Sequence, residues 1–167
     1  MGRPEPELPA MSSYGVGDGE WSPLPWGWAA QRLATTRNFW LATASSAARP
    51  HALPVWGVWD DEALRFGFSC ARGARKARNL QENASCAFAI DDTVECVSVE
   101  GRAAELEAGA DLEAWIERYL AKYAPIEPSL NGEFLRANLF VEVIPERAFG
   151  VIERPAEFAA RATRWSF

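Results

Sequence analysis

From residue 38 onward, apolar and polar positions alternate in short runs separated by turn residues, and that period of two predicts strands. Residues 38–45 (NFWLATAS), 51–59 (HALPVWGVW) and 64–69 (LRFGFS) read as three consecutive strands, joined by turns at 46–50 and at Asp60-Asp61. Residues 85–90 (SCAFAI) and 95–106 (ECVSVEGRAAEL) read as a second hairpin turned at Asp91-Asp92, and Gly101 marks a bulge in its long strand. A sixth strand covers 139–144 (LFVEVI), is interrupted at Pro145 and continues at 149–152. Three stretches change to the helical period. Residues 23–36 place Leu24, Trp26, Trp28 and Leu33 among good helix formers, with Ser22 as N-cap before Pro23. The run rich in Ala, Arg, Gln and Leu that follows Cys70 extends to Asn83. A third helix, capped by Asp111 and stopped by Pro125, carries Leu112, Trp115, Ile116, Tyr119, Leu120 and Tyr123 at helical spacing, which reads as core.

Strands that follow one another without βαβ alternation do not build a parallel sheet, and Gly73 alone is no dinucleotide fingerprint. The order predicts a mainly β fold, a six-stranded antiparallel barrel with a few helices. Residues 1–22 hold Gly, Pro and Ser without periodicity and read as a flexible tail before a domain at 23–167. The strand at 51–59 is unusual on two counts. Pro54 cannot donate a ladder hydrogen bond, so the strand has an edge, a bulge or a ligand there. It is also apolar on both faces, with Leu53, Val55 and Trp59 on one and Ala52, Trp56 and Val58 on the other. One face meets the core; the other calls for a second subunit or a flat ligand.

Composition narrows the chemistry. The 167 residues are 49% apolar, enough for a core, and the net charge is -6 with a pI near 4.9. An acidic chain lacks the broad basic surface that nucleic acid requires. No run approaches the ~18 apolar residues of a membrane span, and the first residues lack the basic and apolar regions of a secretory signal, so the expected compartment is the cytoplasm. Cys70, Cys86 and Cys96 form no CxxC pair and His51 is the single histidine, which argues against a disulfide scaffold or a metal site. The eight tryptophans suit an aromatic pocket or a subunit interface as well as a core. Against the acidic background, Arg72, Arg75, Lys76 and Arg78 fall within seven residues at the start of the second helix. Cations there oppose the helix dipole unless an anion is held, and the simplest anion is the phosphate of a small ligand.

These residues carry a family resemblance. HALPVWGVWDD, LRFGFS, RKARNLQEN and VSVEGRAAEL together resemble the pyridoxamine 5'-phosphate oxidase-like superfamily of flavin and deazaflavin split barrels, and the closing ATRWSF is similar to its branch dependent on coenzyme F420. The resemblance implies a homodimer with the cofactor between subunits and a small-molecule substrate. It implies that Arg75 and Lys76 grip the cofactor phosphate, with Arg78 and Asn79 completing the motif. Pro54, Val55 and Trp56 would face the ring system, Phe68 and Ser69 would add contacts from the third strand, and Trp165 would close the site from the tail. Where the true oxidases carry an Arg and a Lys on the second strand, His51 and Trp56 stand here, so vitamin B6 oxidation is not expected. The expected activity is hydride transfer between F420, or alternatively FMN, and a small unsaturated or planar substrate. An FMN-binding member of the oxidase type and a non-enzymatic flavin or haem carrier are the competing expectations. Hydride transfer needs no protein base because the cofactor does the chemistry, which leaves His51 a structural or cofactor-edge role.

Overall fold

The computed structural model describes residues 2–167; Met1 lies outside them. The strands are β1 (Asn38–Ala44), β2 (Pro50–Asp60), β3 (Arg65–Cys70), β4 (Ser85–Ile90), β5 (Glu95–Glu105), β6 (Leu139–Ile152) and β7 (Thr163–Ser166), and they form one antiparallel sheet in the order β3-β2-β1-β4-β5-β6-β7. Pairing of β3 with β6 closes the first six into a barrel. β7 continues along β6 where β3 leaves it, at Arg147 to Gly150.

Alternation explains the core. Phe39 and Leu41 of β1, Phe66 and Phe68 of β3, Phe88 of β4 and Val97 and Val99 of β5 point inward and are essentially inaccessible. Phe66 lies between its neighbours, stacked on Phe88 at 4.0 Å and edge-on to Phe39 at 4.8 Å. Helix α1 (Trp26–Thr35) buries Trp26, Ala29, Ala30 and Leu33. Its cap is Pro25, three residues later than Ser22, because Pro23 and Pro25 hold the preceding chain extended. Helix α2 (Arg75–Glu82) sits on β1, while α3 (Ala110–Tyr123) and the short α4 (Gly132–Ala137) cover the outside of β2, β3 and β6. A last turn of helix, α5 (Phe158–Arg161), leads into β7.

Pro145 does not break the sixth strand. β6 runs unbroken for 14 residues, and the irregularity is taken up by a bulge: Glu100 pairs with Arg147 and Gly101 with Pro145, leaving Glu146 as the extra residue. The stretch expected as a flexible tail lies along the barrel. Arg3 pairs with Asp61 at 2.5 Å, Glu7 exchanges two backbone hydrogen bonds and an ion pair with Arg164, and Trp21 Nε1 donates to Ala162 O at 2.9 Å. Among the described residues no helix is long and apolar enough to cross a membrane.

Candidate functional site

The start of α2 carries the four cations in different settings. Ala74 is the N-cap and provides no side-chain bond, and the first turn holds no acidic residue. Of the four cations, Arg72 pairs with Glu105 at 2.8 Å and Arg78 Nη1 donates to Gly73 O at 2.6 Å. Arg75 and Lys76 have no hydrogen-bond or ion-pair partner among the described residues, so the first turn presents two uncommitted positive charges. Asn79 has a different role. It is buried, and its Nδ2 donates to Thr43 Oγ1 at 3.0 Å, which pins the helix to β1.

Beside this helix end the barrel wall splits. β2 pairs with β1 as far as Trp56 and with β3 only from Gly57, opposite Phe68. From Ser69 onward β3 runs beside β6 alone, with Ser69 opposite Phe140 and Cys70 opposite Leu139. The gap opens into a cleft of about 450 Å³ between Trp56, Ser69 and Cys70 on the strand side and Tyr119, Leu130 and Phe134 on the helix side. That size and aromatic lining are usual for a small-molecule site. The Cys70 thiol joins the cleft to the helix: burial raises its pKa, and Lys76 close by works against that rise. A similar cavity of about 460 Å³ lies where residues 2–7 cross Ile144, Pro145 and Phe167, but none of the predicted site residues reaches it.

Tyr123 holds the split open at a fixed place. Its hydroxyl accepts from Gly57 N at 2.8 Å and lies 2.8 Å from Gly57 O and 2.7 Å from Arg37 O. Lys122 Nζ donates to the same Gly57 O at 2.9 Å. The neighbouring Trp56 ring then stacks on Tyr123, centroids 4.7 Å apart and planes within 2°. Burial pushes the Tyr123 phenol up to about 12, with the Gly57 bond opposing. Removing this hydroxyl strands a buried peptide N–H, so Tyr123→Phe should cost about 1–2 kcal/mol in urea unfolding. A loss below measurement error would show that water replaces the hydroxyl.

Lys122 gives a test by pH. Burial lowers its pKa from 10.5 to about 8. Between those values the unfolded chain binds more protons than the folded one, so this group's contribution to stability rises with pH from about 8 to 10.5. Part of the side chain meets solvent, so the effect falls short of the full linkage value. Melting temperatures of the wild type and Lys122→Met, measured across that window, should shift relative to each other in favour of the wild type as pH rises. Parallel curves would refute the assignment.

The remaining predicted residues divide. Pro54 is exposed, Val55 is part of the barrel wall, and Trp56 and Ser69 line the cleft. Phe68 and Trp165 do not line it: both are fully buried. Phe68 packs with Phe66, and Trp165 packs on Trp26 at 5.5 Å, so within the subunit neither offers a side chain to a ligand. His51 lies opposite Thr43, with its Nδ1 buried and without a partner among the described residues. The apolar second face of β2 is covered in part by its own chain, because α3 packs over Trp56 and Val58. Ala52 and Pro54 stay open, beside Trp40, which is 51% exposed. Sequence reasoning pointed to residues 115–134 as the surface that chooses the substrate but singled out none of Tyr119, Tyr123, Glu127 and Phe134 for it. The tyrosines gave a signal, since a tyrosine in a buried helical stripe needs a partner for its hydroxyl.

A sequence profile described as pyridoxamine 5'-phosphate oxidase matches residues 29–151, which include every strand of the closed barrel except the last residue of β6. The chain belongs to the pyridoxamine 5'-phosphate oxidase family. The split barrel of that family is the fold observed here. Solved structures agree. The haem storage protein HutZ from Vibrio cholerae is 19% identical with a TM-score of 0.61, covering 74% of this chain and 94% of that one. An FAD-binding protein from Mesorhizobium loti is 15% identical with a TM-score of 0.60, covering 86% and 96%. A putative pyridoxamine 5'-phosphate oxidase from Listeria innocua is 17% identical with a TM-score of 0.57, covering 72% and 92%. Likeness at these identities speaks for the fold alone. No curated protein sequence matches the chain.

Proposed function

We propose that this chain is an oxidoreductase that holds a phosphate-bearing flavin or deazaflavin. Its anionic end lies at Arg75 and Lys76, its ring lies along β2 at Pro54 to Trp56, and a small planar partner enters the cleft. The observation that carries this reading is the pair of uncommitted cations beside an aromatic cleft that contains no cation of its own. Charge is offered outside the cleft and flat apolar surface inside it, as a ligand with one anionic end and one aromatic end requires. When bound, the cofactor supplies the hydride chemistry; the residues named here bind, orient and exclude water. The same division argues against a phosphate-bearing substrate such as pyridoxamine 5'-phosphate, because the cleft has no side chain to neutralise a second phosphate.

Coenzyme F420 and FMN divide on the cations. The neutral positions His51 and Trp56 favour F420, as does a spread of positive charge along α2. The commitment of Arg72 and Arg78 leaves two free cations, enough for the compact terminal phosphate of FMN. An exposed pair such as Arg72 with Glu105 is worth little, so Arg72 can turn to a longer anion. A homodimer belongs to this proposal: Trp40, Ala42, Ala52 and Pro54 form an apolar outer face on β1 and β2 that a second copy would cover. A haem carrier is the weaker reading, since His51 does not line the cleft and burial disfavours the Cys70 thiolate. Titration of the purified protein with F420, FMN and haemin, followed by each ligand's own absorbance or fluorescence, tests the proposal. Saturable binding of F420 or FMN supports it; haemin binding with neither of the others overturns it.

A further inference from the structure

We infer that the cleft beside Trp56 selects planar aromatic partners bearing N–H donors, cationic or neutral, and that Glu127 sets this preference. The inference rests on the reading of the cleft as the place of the reacting partner. Among the described residues, Glu127 is the one charged residue lining it. It follows α3 in a turn fixed by backbone bonds, from Glu127 N to Tyr123 O at 2.9 Å and from Leu130 N to Glu127 O at 3.0 Å. Its Oε1 accepts from Ser129 Oγ at 2.6 Å and from Ser129 N at 3.1 Å. Those two bonds hold its carboxyl below the usual range and therefore ionised.

Among the described residues, no lysine or arginine pairs with Glu127, and its Oε2 accepts no hydrogen bond. The exposed carboxylate is thus held in place and charged, with one oxygen free of protein partners. A second acceptor lies in the same lining: Asn138 Nδ2 is committed to Phe134 O at 2.9 Å, which leaves Oδ1 for a ligand. Two acceptors, one of them anionic, against the Trp56, Tyr119 and Phe134 rings match a flat ring system with amino substituents. A planar carboxylate of the same size meets Glu127 as a like charge. Because the turn is already fixed by its own hydrogen bonds, little ordering is needed when a ligand arrives.

Proflavine, a flat diamino cation, and anthracene-9-carboxylate, a flat anion of similar size, are suitable probes, and the fluorescence anisotropy of each reports its own binding. Proflavine should bind the wild type about five- to tenfold more tightly than the anion, as expected for one partly exposed charge. Glu127→Gln keeps the bond from Ser129 and removes the charge, and it should bring the two affinities within about twofold. Glu117→Gln makes the same charge change on an exposed position of α3 and should leave the ratio alone. Equal affinities in the wild type, an unchanged ratio in Glu127→Gln, or no binding of either probe would overturn the inference. The cofactor titration is a separate measurement: failure of F420 and FMN to bind would remove the proposed redox role and leave the probe ratio standing as evidence on the cleft.

Discussion

Replacing Gly101 by alanine should lower the free energy of unfolding by about 3 kcal/mol or more, near the upper end of what single overpacking changes cost. A Cβ at that position would lie 2.3 Å from Ile144 O and 3.0 Å from Pro145 Cα. Both contacts are backbone, so no side-chain rotation relieves them. The bulge is also where β6 changes partner, from β3 over Leu139 to Val143 to β7 from Arg147. Backbone displacement there would strain both pairings together. Gly73→Ala is the matching control: a Cβ there meets nothing within 4 Å, and alanine should be neutral or slightly stabilising. Urea denaturation of both variants checks the pair. Equal stabilities would mean that the barrel accommodates a methyl group at Gly101 by a shift of β6.

Why Gly101 could be read from the sequence, and the cleft could not, follows from the range of the interactions. A glycine within an alternating strand is a local signal, and so are the turns at Asp60 and Asp91; β4 was located to the residue because both of its ends carry such signals. The four-residue β7 and α5 and the six-residue α4 are too short to show a period. They exist because long-range partners hold them, as Ser22 N bonded to Ala160 O and the Glu7–Arg164 exchange illustrate. The charged start of α2 was legible because it contradicts the dipole of its own helix. The cleft joins Trp56, Ser69 and Phe134, whose approach depends on where β2 leaves β3 and on how α3 crosses them, and no local pattern encodes either. The apolar outer face of β2 was read as calling for a second subunit or a flat ligand, because periodicity cannot distinguish either from a helix of the same chain. Helix α3, through Tyr123, covers Trp56, while Ala52 and Pro54 stay exposed.

Lys76→Ala should weaken binding of the anionic cofactor by roughly 1.5–3 kcal/mol, the range for a charge-assisted hydrogen bond, or about 10- to 150-fold in Kd. The size of the effect follows from where the charge stands. Lys76 is half-buried in the first turn of α2, close enough to Cys70 to influence its thiol, and it has no carboxylate partner among the described residues. An anion at this turn meets the helix N–H groups and the ammonium together, so the lysine's loss removes one of two cooperating terms. Arg72→Ala removes the same unit of charge from the turn just before the helix. Its guanidinium already has Glu105, and with the compact phosphate of FMN its loss should change Kd by less than about threefold; a larger loss with F420 would mark the longer anion reaching it. The comparison separates a built phosphate site from a diffuse positive patch: a patch predicts similar losses for both variants, more pronounced at low salt. Fluorescence titration of wild type, Lys76→Ala and Arg72→Ala at two ionic strengths decides between them. An unchanged affinity in Lys76→Ala, with the helix intact by circular dichroism, would remove the phosphate from α2 and with it the proposed placement of the ring on β2.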